Sequence, residues 1–130
     1  MMREILFRGK TIKCPRFVFG DLYHDRTLNR VCILDNDIEY PINAATVGQY
    51  TGLTDKNGKR IFEGDIVVQP VRETSKHSHC IVEFHKGKFQ AHYVSENRFF
   101  DRYYDINSYT KVIGNIHDNP ELLKGGGADA

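Results

Sequence analysis

Short runs of β-branched and aromatic residues recur about every ten residues along this chain, and polar or glycine-containing turns separate them. The chain has 11 Ile, 9 Val, 8 Phe and 7 Tyr against 5 Ala, 7 Leu and 2 Met. Residues of the first group fit the pleated, half-buried surface of a sheet better than the surface of a helix. This pattern excludes an all-helical bundle and predicts a mainly β fold.

The turn chemistry refines this prediction. Asp55-Lys56-Asn57-Gly58 is the clearest turn, because Asn-Gly readily takes the positive φ angles of a tight hairpin turn. Residues 17–23 carry apolar side chains on both faces and are predicted to form a strand that is covered on both sides. Asn119-Pro120 predicts a short C-terminal helical turn with an asparagine cap, followed by a flexible tail over 125–130.

Two neighbouring segments carry conflicting signals. Residues 38–42 alternate between apolar and polar side chains, which is typical of a strand, but Pro41 among them predicts an edge strand because it lacks an N–H donor. Residues 43–46 are predicted to form a single helical turn.

The length and the cysteines limit the class of protein. A chain of 130 residues builds a core without disulfides or metal ions. Cys14, Cys32 and Cys80 are odd in number and widely spaced, so we expect buried thiols and no disulfide framework or zinc ribbon. No apolar run is long enough for a transmembrane helix or a signal peptide, so we expect a cytoplasmic location.

Charge is distributed unevenly along the chain. The formal net charge is +1, which weakens the case for a nucleic-acid binder. Residues 1–16 nevertheless sum to +4 and residues 21–40 to −3. The two stretches either face each other across paired strands or form solvated surface, which we prefer. The charge distribution leaves a local basic patch at the N-terminus as an open alternative for binding nucleic acid.

Motifs that would carry catalysis are missing from the sequence. It contains no GxSxG, Walker, HExxH or GxGxxG pattern, so we expect a non-enzymatic protein with no cofactor. The most metal-like string is His77-Ser78-His79-Cys80, to which His85 and His92 could add ligands across a hairpin. We prefer its interpretation as a solvated loop followed by a buried cysteine.

Glu63 and Asp65 form a pair of carboxylates around Gly64. Such a pair can perform acid–base chemistry or hold a hard cation. Two acids at a turn more often face water or cap backbone amides, so a structural role is preferred. With the histidines at 77–92, these carboxylates form the third functional alternative, a metal-assisted enzyme.

The segment around residue 100 alternates arginine with aromatic residues. Arginine and aromatic side chains dominate interface hot spots, and they also stack on single-stranded nucleic acid. The alternative is a core-packing strand. The predicted binding residues are Arg98, Phe99, Phe100, Arg102, Tyr103 and Tyr104.

Residues 47–67 (VGQYTGLTDKNGKRIFEGDIV) resemble the signature of the YopX family of phage and prophage proteins. Three further segments resemble the family in the same order: REILFR at 3–8, IVEF with GKF at 81–89, and VIGNIHDNPELL at 112–123. The resemblance implies a mostly β fold with an SH3-type barrel and a phage or prophage origin. It implies no activity and no catalytic residues.

Taken together, these observations predict a small β protein in three parts: an N-terminal β subdomain over 1–55, an SH3-like barrel over 56–118, and a helical turn with a tail over 119–130. Phe62, Ile66 and Val67 are predicted to fill the barrel core. The leading functional hypothesis is a non-enzymatic module that binds a protein partner or a second copy of itself. Single-stranded nucleic-acid binding is the alternative, and no membrane partner is expected.

Overall fold

The computed structural model describes residues 4–70, 77–93 and 102–123. In those ranges the chain is mainly β, as predicted, with a 3-10 turn near the C-terminus. No helix in the described residues has the length and apolar character needed to cross a membrane. The strands are β1 Phe7–Thr11, β2 Phe17–Asp25, β3 Arg30–Asp35, β4 Ile38–Thr54, β5 Arg60–Phe62, β6 Asp65–Pro70, β7 His77–His85, β8 Lys88–Tyr93, β9 Arg102–Asp105 and β10 Lys111–Asn115.

The chain forms two compact units, Met1–Gly52 and Leu53–Ala130. In the first unit β1 pairs antiparallel with both β2 and β4, and β3 lies between β2 and β4. These pairings close four strands into a ring. Val18, Ile33 and Ile42 fill its core. The finer division into 1–55, 56–118 and 119–130 stays a prediction.

The prediction that β2 is covered on both sides is wrong. Only the Val18 side of the strand faces the core, where Val18 is 4% exposed. Phe19, on the opposite side, is 42% exposed. An apolar side chain in mid-strand therefore faces solvent within this unit.

β4 departs from one prediction and agrees with another over most of its segment. Residues 43–46 belong to the strand and form no helical turn; instead the side chain of Asn43 caps the N–H of Ala45, with N···Oδ1 at 3.0 Å. The edge prediction for residues 38–42 holds over most of that segment, because residues 38–41 pair with β3 on one side and the pairing with β1 on the other side begins only at Ile42. Pro41 is accommodated because it lies opposite Cys32 of β3, and the pairing with β1 extends only as far as Ile42.

The second unit contains a sheet in the order β10-β6-β7-β8-β9. One face of this sheet contributes five residues to a buried cluster, Val67, Cys80, Val82, Ala91 and Val112, and Ile61 of β5 completes it. The predicted core residues Phe62, Ile66 and Val67 are all buried, at 4%, 0% and 0% exposure. Their predicted burial is confirmed, and Val67 belongs to the cluster.

The turn at residues 55–58 is confirmed. Gly58 has φ +83°, the left-handed region that glycine enters without a steric penalty. The turn is anchored by Asp55, whose side chain accepts backbone N–H groups from within the turn and from β10. This part of the signature block is therefore explained by backbone geometry.

The predicted C-terminal turn is present at Pro120–Leu123, but the side chain of Asn119 bonds outside the turn and does not act as the predicted cap. Asn119 precedes it, and its carbonyl oxygen accepts the N–H of Leu122 at 3.0 Å. The side chain of Asn119 accepts the N–H of Asn115 at 3.2 Å, which joins the turn to the end of β10.

All three cysteines are thiols outside disulfides. Cys32 and Cys80 are buried, as predicted, whereas Cys14 is exposed, contrary to the prediction. Cys14 lies in the turn between β1 and β2 with φ +48°, so its side chain has no core to enter.

Candidate binding site

Cations and aromatic rings face each other across β1 and β2. The register places Arg8 opposite Phe19 and Lys10 opposite Phe17. Because side chains alternate along a strand, these four project from one side, and Val18 projects into the core on the other. We call Arg8, Lys10, Phe17 and Phe19 the cation–aromatic face.

Contacts between these side chains hold the cations in place. The Cζ atom of Arg8 lies 4.4 Å from the centroid of the Phe17 ring, and Nζ of Lys10 lies 5.1 Å from the same centroid. Both distances are in the range of cation–π attraction. The Phe17 and Phe19 rings are 6.4 Å apart. Phe19 therefore stands exposed beside two positioned cations, one of which, Arg8, is only 7% exposed.

A cleft of about 340 Å³ adjoins this face and shares Lys10 with it. It is lined by Lys10, Thr11, Ile12, Pro15, Asn43 and Thr46, which we call the basic cleft. Hydrogen bonds order one wall: the Thr11 hydroxyl accepts the N–H of Arg16 at 3.2 Å. The same hydroxyl lies 3.2 and 3.1 Å from the carbonyl oxygens of Lys13 and Cys14.

The other wall of the cleft belongs to β4. The buried Thr46 hydroxyl donates to the carbonyl oxygen of Asn43 at 2.6 Å and accepts the N–H of Lys10 at 2.8 Å. The register between β1 and β4 shifts between Arg8 and Lys10, and the Thr46 hydroxyl takes the Lys10 N–H at this shift. Both walls are thus built before any ligand arrives.

The predicted binding residues lie in the second unit, and the structure describes half of them. Arg98, Phe99 and Phe100 fall outside the described residues. Arg102 is exposed at the start of β9, whereas Tyr103 and Tyr104 are half-buried. The binding role of this segment stays a prediction.

Both described tyrosines take part in packing within the unit. Tyr104 lies opposite Ala91 and packs against the core cluster. The Tyr103 ring stacks with His85 and His92, with centroid separations of 3.5 and 4.2 Å. Their contacts match the core-packing alternative for this segment.

The candidate metal ligands are held by different partners. His79 Nδ1 lies 2.7 Å from the Leu122 carbonyl oxygen, and His85 Nδ1 lies 3.1 Å from Gln90 Oε1. His92 Nδ1 lies 3.0 Å from Glu83 Oε2. In the described residues the structure does not join these histidines into one ligand set, and the His77 side chain lies outside that description.

One residue of the carboxylate pair at 63 and 65, Asp65, has a structural role. Asp65 is 2% exposed, and its Oδ2 accepts the N–H of Phe62 at 2.8 Å. Asp65 therefore caps the β5–β6 turn, as the structural interpretation expected. Gly64 between the two acids has φ +89°, and its N–H donates to the carbonyl oxygen of Val82 at 2.9 Å.

A different group brings together three potential ligand atoms in the described residues. Oxygen or sulfur atoms of Asp25, Cys32 and Glu39 all lie within 4.8 Å of one another. Arg30 balances the two acids, with Nε 3.2 Å from Asp25 Oδ2 and Nη2 3.7 Å from Glu39 Oε1. A hydrogen bond to Glu39 and partial burial raise the pKa of Tyr23 beside them. This group is explained as an ion-pair network.

The model of the family described as "YopX protein" matches residues 17–124. The chain belongs to the YopX family. The match includes the signature block at 47–67 and the closing segment at 112–123, whereas residues 3–8 lie outside it. None of the curated proteins searched matches the chain.

Two crystal structures share the fold. Protein EF1440 from Enterococcus faecalis is 24% identical, with a TM-score of 0.59 over 95% of this chain and 100% of that one. The protein yopX from Bacillus subtilis is 19% identical, with a TM-score of 0.55 over 95% of this chain and 100% of that one. At these identities the likeness concerns the fold.

Sequence reasoning missed the cation–aromatic face. Its signal was present in the alternation of Phe17 and Phe19 on one side of β2 and in the +4 charge of residues 1–16. The alternation by itself predicts a doubly covered strand, because the opposite face of β2 is also apolar. Only the pairing of β1 with β2 shows that the cations lie opposite these rings.

Proposed function

We propose that this chain is a non-enzymatic protein-binding module, and that the cation–aromatic face is its binding surface. The observation that carries the proposal is the exposure of Phe19, 42%, in mid-strand and directly opposite Arg8. A lone exposed apolar residue needs no explanation. An exposed aromatic ring flanked by positioned cations has the composition of an interface hot spot.

The scaffold also suits binding. The four side chains stand on paired strands of a closed ring, so their backbone is rigid before a partner arrives. The cations already rest on the Phe17 ring, so little rotamer freedom remains to be lost on association. The partner is a protein, either another chain or a second copy of this one.

Single-stranded nucleic acid is the competing partner, because it also stacks on aromatic rings beside cations. The net charge of +1 argues for protein, since backbone phosphates are bound mainly through a large excess of positive charge. A fluorescence titration with a labelled oligonucleotide at two salt concentrations separates the two. We expect no salt-sensitive binding.

Site-specific photo-crosslinking tests the proposal in the cells that carry the gene. A benzophenone amino acid replaces Phe19 in one variant and, as the matched control, Leu28 in another; Leu28 is an apolar residue of the same unit that is 61% exposed. We expect a discrete protein adduct from position 19 that is absent from position 28 and weakened by Lys10→Glu. Equal adducts from both positions, or none from position 19, would refute the proposal.

We further propose that the second unit is an SH3-type barrel. Its strand order β10-β6-β7-β8-β9 supports this, because the last strand returns to lie beside the first strand of a meander. A phage or prophage origin and a cytoplasmic location are also proposals, supported by the sequence resemblance and by the absence of long apolar runs. Neighbouring genes that encode phage proteins would support the origin.

A further inference from the structure

We propose that two copies of this chain associate through one end of the first unit, where a basic turn and an acidic turn lie close together. The basic turn is residues 12–16, which connect β1 to β2, and the acidic turn is residues 35–38, where β3 joins β4. Neither turn contains a residue of the cation–aromatic face, so the inference goes beyond the proposed function. Each turn supplies the charge that the other lacks, so the partner is a second copy.

The two turns lie at the same end of the unit because β1 and β3 run in the same direction. Both strands pair antiparallel with β2. The pairing of β1 with β4 then places Thr11 opposite Ile42, four residues after Ile38. Cζ of Arg16 lies 5.3 Å from the centroid of the Tyr40 ring, so the basic turn contacts the strand that leaves the acidic turn.

The two turns carry opposite charges that do not pair within the unit. The basic turn has Lys13 and Arg16, both exposed, and the acidic turn has Asp35 and Asp37. In the described ranges the side chains of Lys13, Asp35 and Asp37 form no hydrogen bond or ion pair. The guanidinium of Arg16 lies over an aromatic ring and not beside an acid. The turns are therefore close without neutralising each other, which leaves both charges for a partner.

Each turn also exposes an isoleucine. Ile12 is 61% exposed and Ile38 is 53% exposed. Ile12 and Pro15 form an apolar wall of the basic cleft, whose volume of about 340 Å³ is large enough for an aliphatic side chain. In a dimer, Ile38 of one copy meets this wall in the other copy. An apolar side chain flanked by acids then contacts an apolar wall flanked by cations.

Self-association follows from the position of both turns at one end. An isologous dimer uses the same surface of both copies, related by a two-fold axis. An axis between the turns brings the basic turn of each copy against the acidic turn of the other, so every contact forms twice. The unlike charges set the register and the association rate, and the isoleucines bury apolar surface. An unrelated partner would need both signs of charge in the same arrangement.

Sedimentation equilibrium of the full chain tests the inference with two turn variants. Lys13→Glu/Arg16→Glu makes both turns acidic, and Asp35→Lys/Asp37→Asn makes both turns basic. Asparagine is used at position 37 because φ is +69° there, a conformation that asparagine tolerates. Circular dichroism confirms that each variant is folded.

The matched control is Lys86→Glu/Lys111→Glu, which reverses two exposed lysines of the second unit. We expect the unmodified chain to form dimers at micromolar concentration, with a dissociation constant that the control leaves unchanged. Each turn variant alone should raise that constant at least about tenfold. An equimolar mixture of the two turn variants should restore dimers, because the acidic turns of one then meet the basic turns of the other. A misfolded variant cannot be rescued in this way.

Three results would overturn the inference: an unmodified chain that stays monomeric, a mixture that stays as monomeric as its components, or a control that loses the dimer. Failure of the inference can be told apart from failure of the proposed function. A monomeric chain that still gives a discrete adduct from position 19 retains the protein-binding face and lacks the dimer. Dimers that the mixture restores, without an adduct from position 19, support the inference alone.

Discussion

Asp55 connects the signature turn to the last strand, and its replacement should destabilise the second unit. Its Oδ1 accepts the N–H groups of Asn57 at 2.8 Å and Lys59 at 2.9 Å. Its Oδ2 accepts the N–H of Val112 at 2.9 Å. Asp55 is 6% exposed, and its bond with the Val112 N–H is buried, so water cannot readily replace it as the acceptor for that donor.

The magnitude follows from where each donor lies. Asn57 and Lys59 are exposed, so their amides regain water when Asp55 is replaced by alanine. The N–H of Val112 is buried and loses its hydrogen bond to the Asp55 carboxylate, which costs about 1–3 kcal/mol. With about 1 kcal/mol more for the two turn bonds, Asp55→Ala should cost roughly 3 kcal/mol of unfolding free energy.

Asp55→Asn should not rescue the protein. Both carboxylate oxygens accept backbone N–H groups, so an amide must turn its own NH₂ group toward one of these donors. We expect a loss of about 2 kcal/mol or more for this variant. Asp21→Asn, at an exposed position of β2, is the matched control and should change stability by less than about 0.5 kcal/mol.

The effect should also depend on pH. Burial opposes ionisation of Asp55, but the hydrogen bonds from Val112, Lys59 and Asn57 outweigh it and lower its pKa. A carboxyl whose pKa is lower in the folded state stabilises that state above its unfolded pKa, near 3.9 for aspartate. This contribution is lost as the pH falls through the folded pKa. Asp55→Asn should therefore flatten the acid limb of the stability profile.

Urea unfolding followed by circular dichroism, at pH 7 and at steps down to pH 2, measures both effects. Hydrogen exchange of the Val112 amide gives a local reading of the same bond. We expect faster exchange and a lower midpoint in both Asp55 variants. Unchanged Val112 exchange, together with a midpoint equal to that of the Asp21 control, would refute this reasoning.

Two further variants test packing and thiol environment. A Cβ at Gly20 would lie 2.1 Å from the backbone oxygen of Leu34. Gly20→Ala should therefore force the β2–β3 pairing apart and cost about 3 kcal/mol or more of unfolding free energy. An unchanged thermal midpoint would contradict this prediction. Cys14 is exposed, whereas Cys32 and Cys80 are buried, and burial raises the pKa of Cys80 to about 12. A colorimetric thiol reagent at pH 8 should therefore titrate one thiol rapidly and all three only after denaturation, and three rapid equivalents would show that the buried thiols are accessible.

Local patterns in the sequence predicted the elements whose causes are local. The Asn-Gly turn at 57–58 and the Asn-Pro start of the C-terminal turn are confirmed, because turn chemistry depends on a few adjacent residues. Predictions that needed knowledge of neighbouring strands were wrong. The local pattern predicts a helical turn at 43–46, yet the strand continues there, where Asn43 pairs with Lys10 of β1 and the Thr46 hydroxyl accepts the Lys10 N–H.

The candidate site shows the same division. The sequence alone determined that the first 16 residues are basic and that Phe17 and Phe19 share one side of a strand. It could not determine whether that side is buried or exposed, because both sides of β2 are apolar. Burial depends on which face the closed ring turns inward, and non-local pairing sets this.

Residue types and short spacings are therefore enough to predict the β class, the turns and the family signature. The tertiary structure alone decided that Lys10 lies opposite Phe17, that Phe19 stays exposed, and that Lys10 also lines a cleft with Asn43. Register explains this difference. Lys10 is 36 positions from Thr46 and 33 from Asn43, so it meets them only when long-range pairing brings β1 and β4 together.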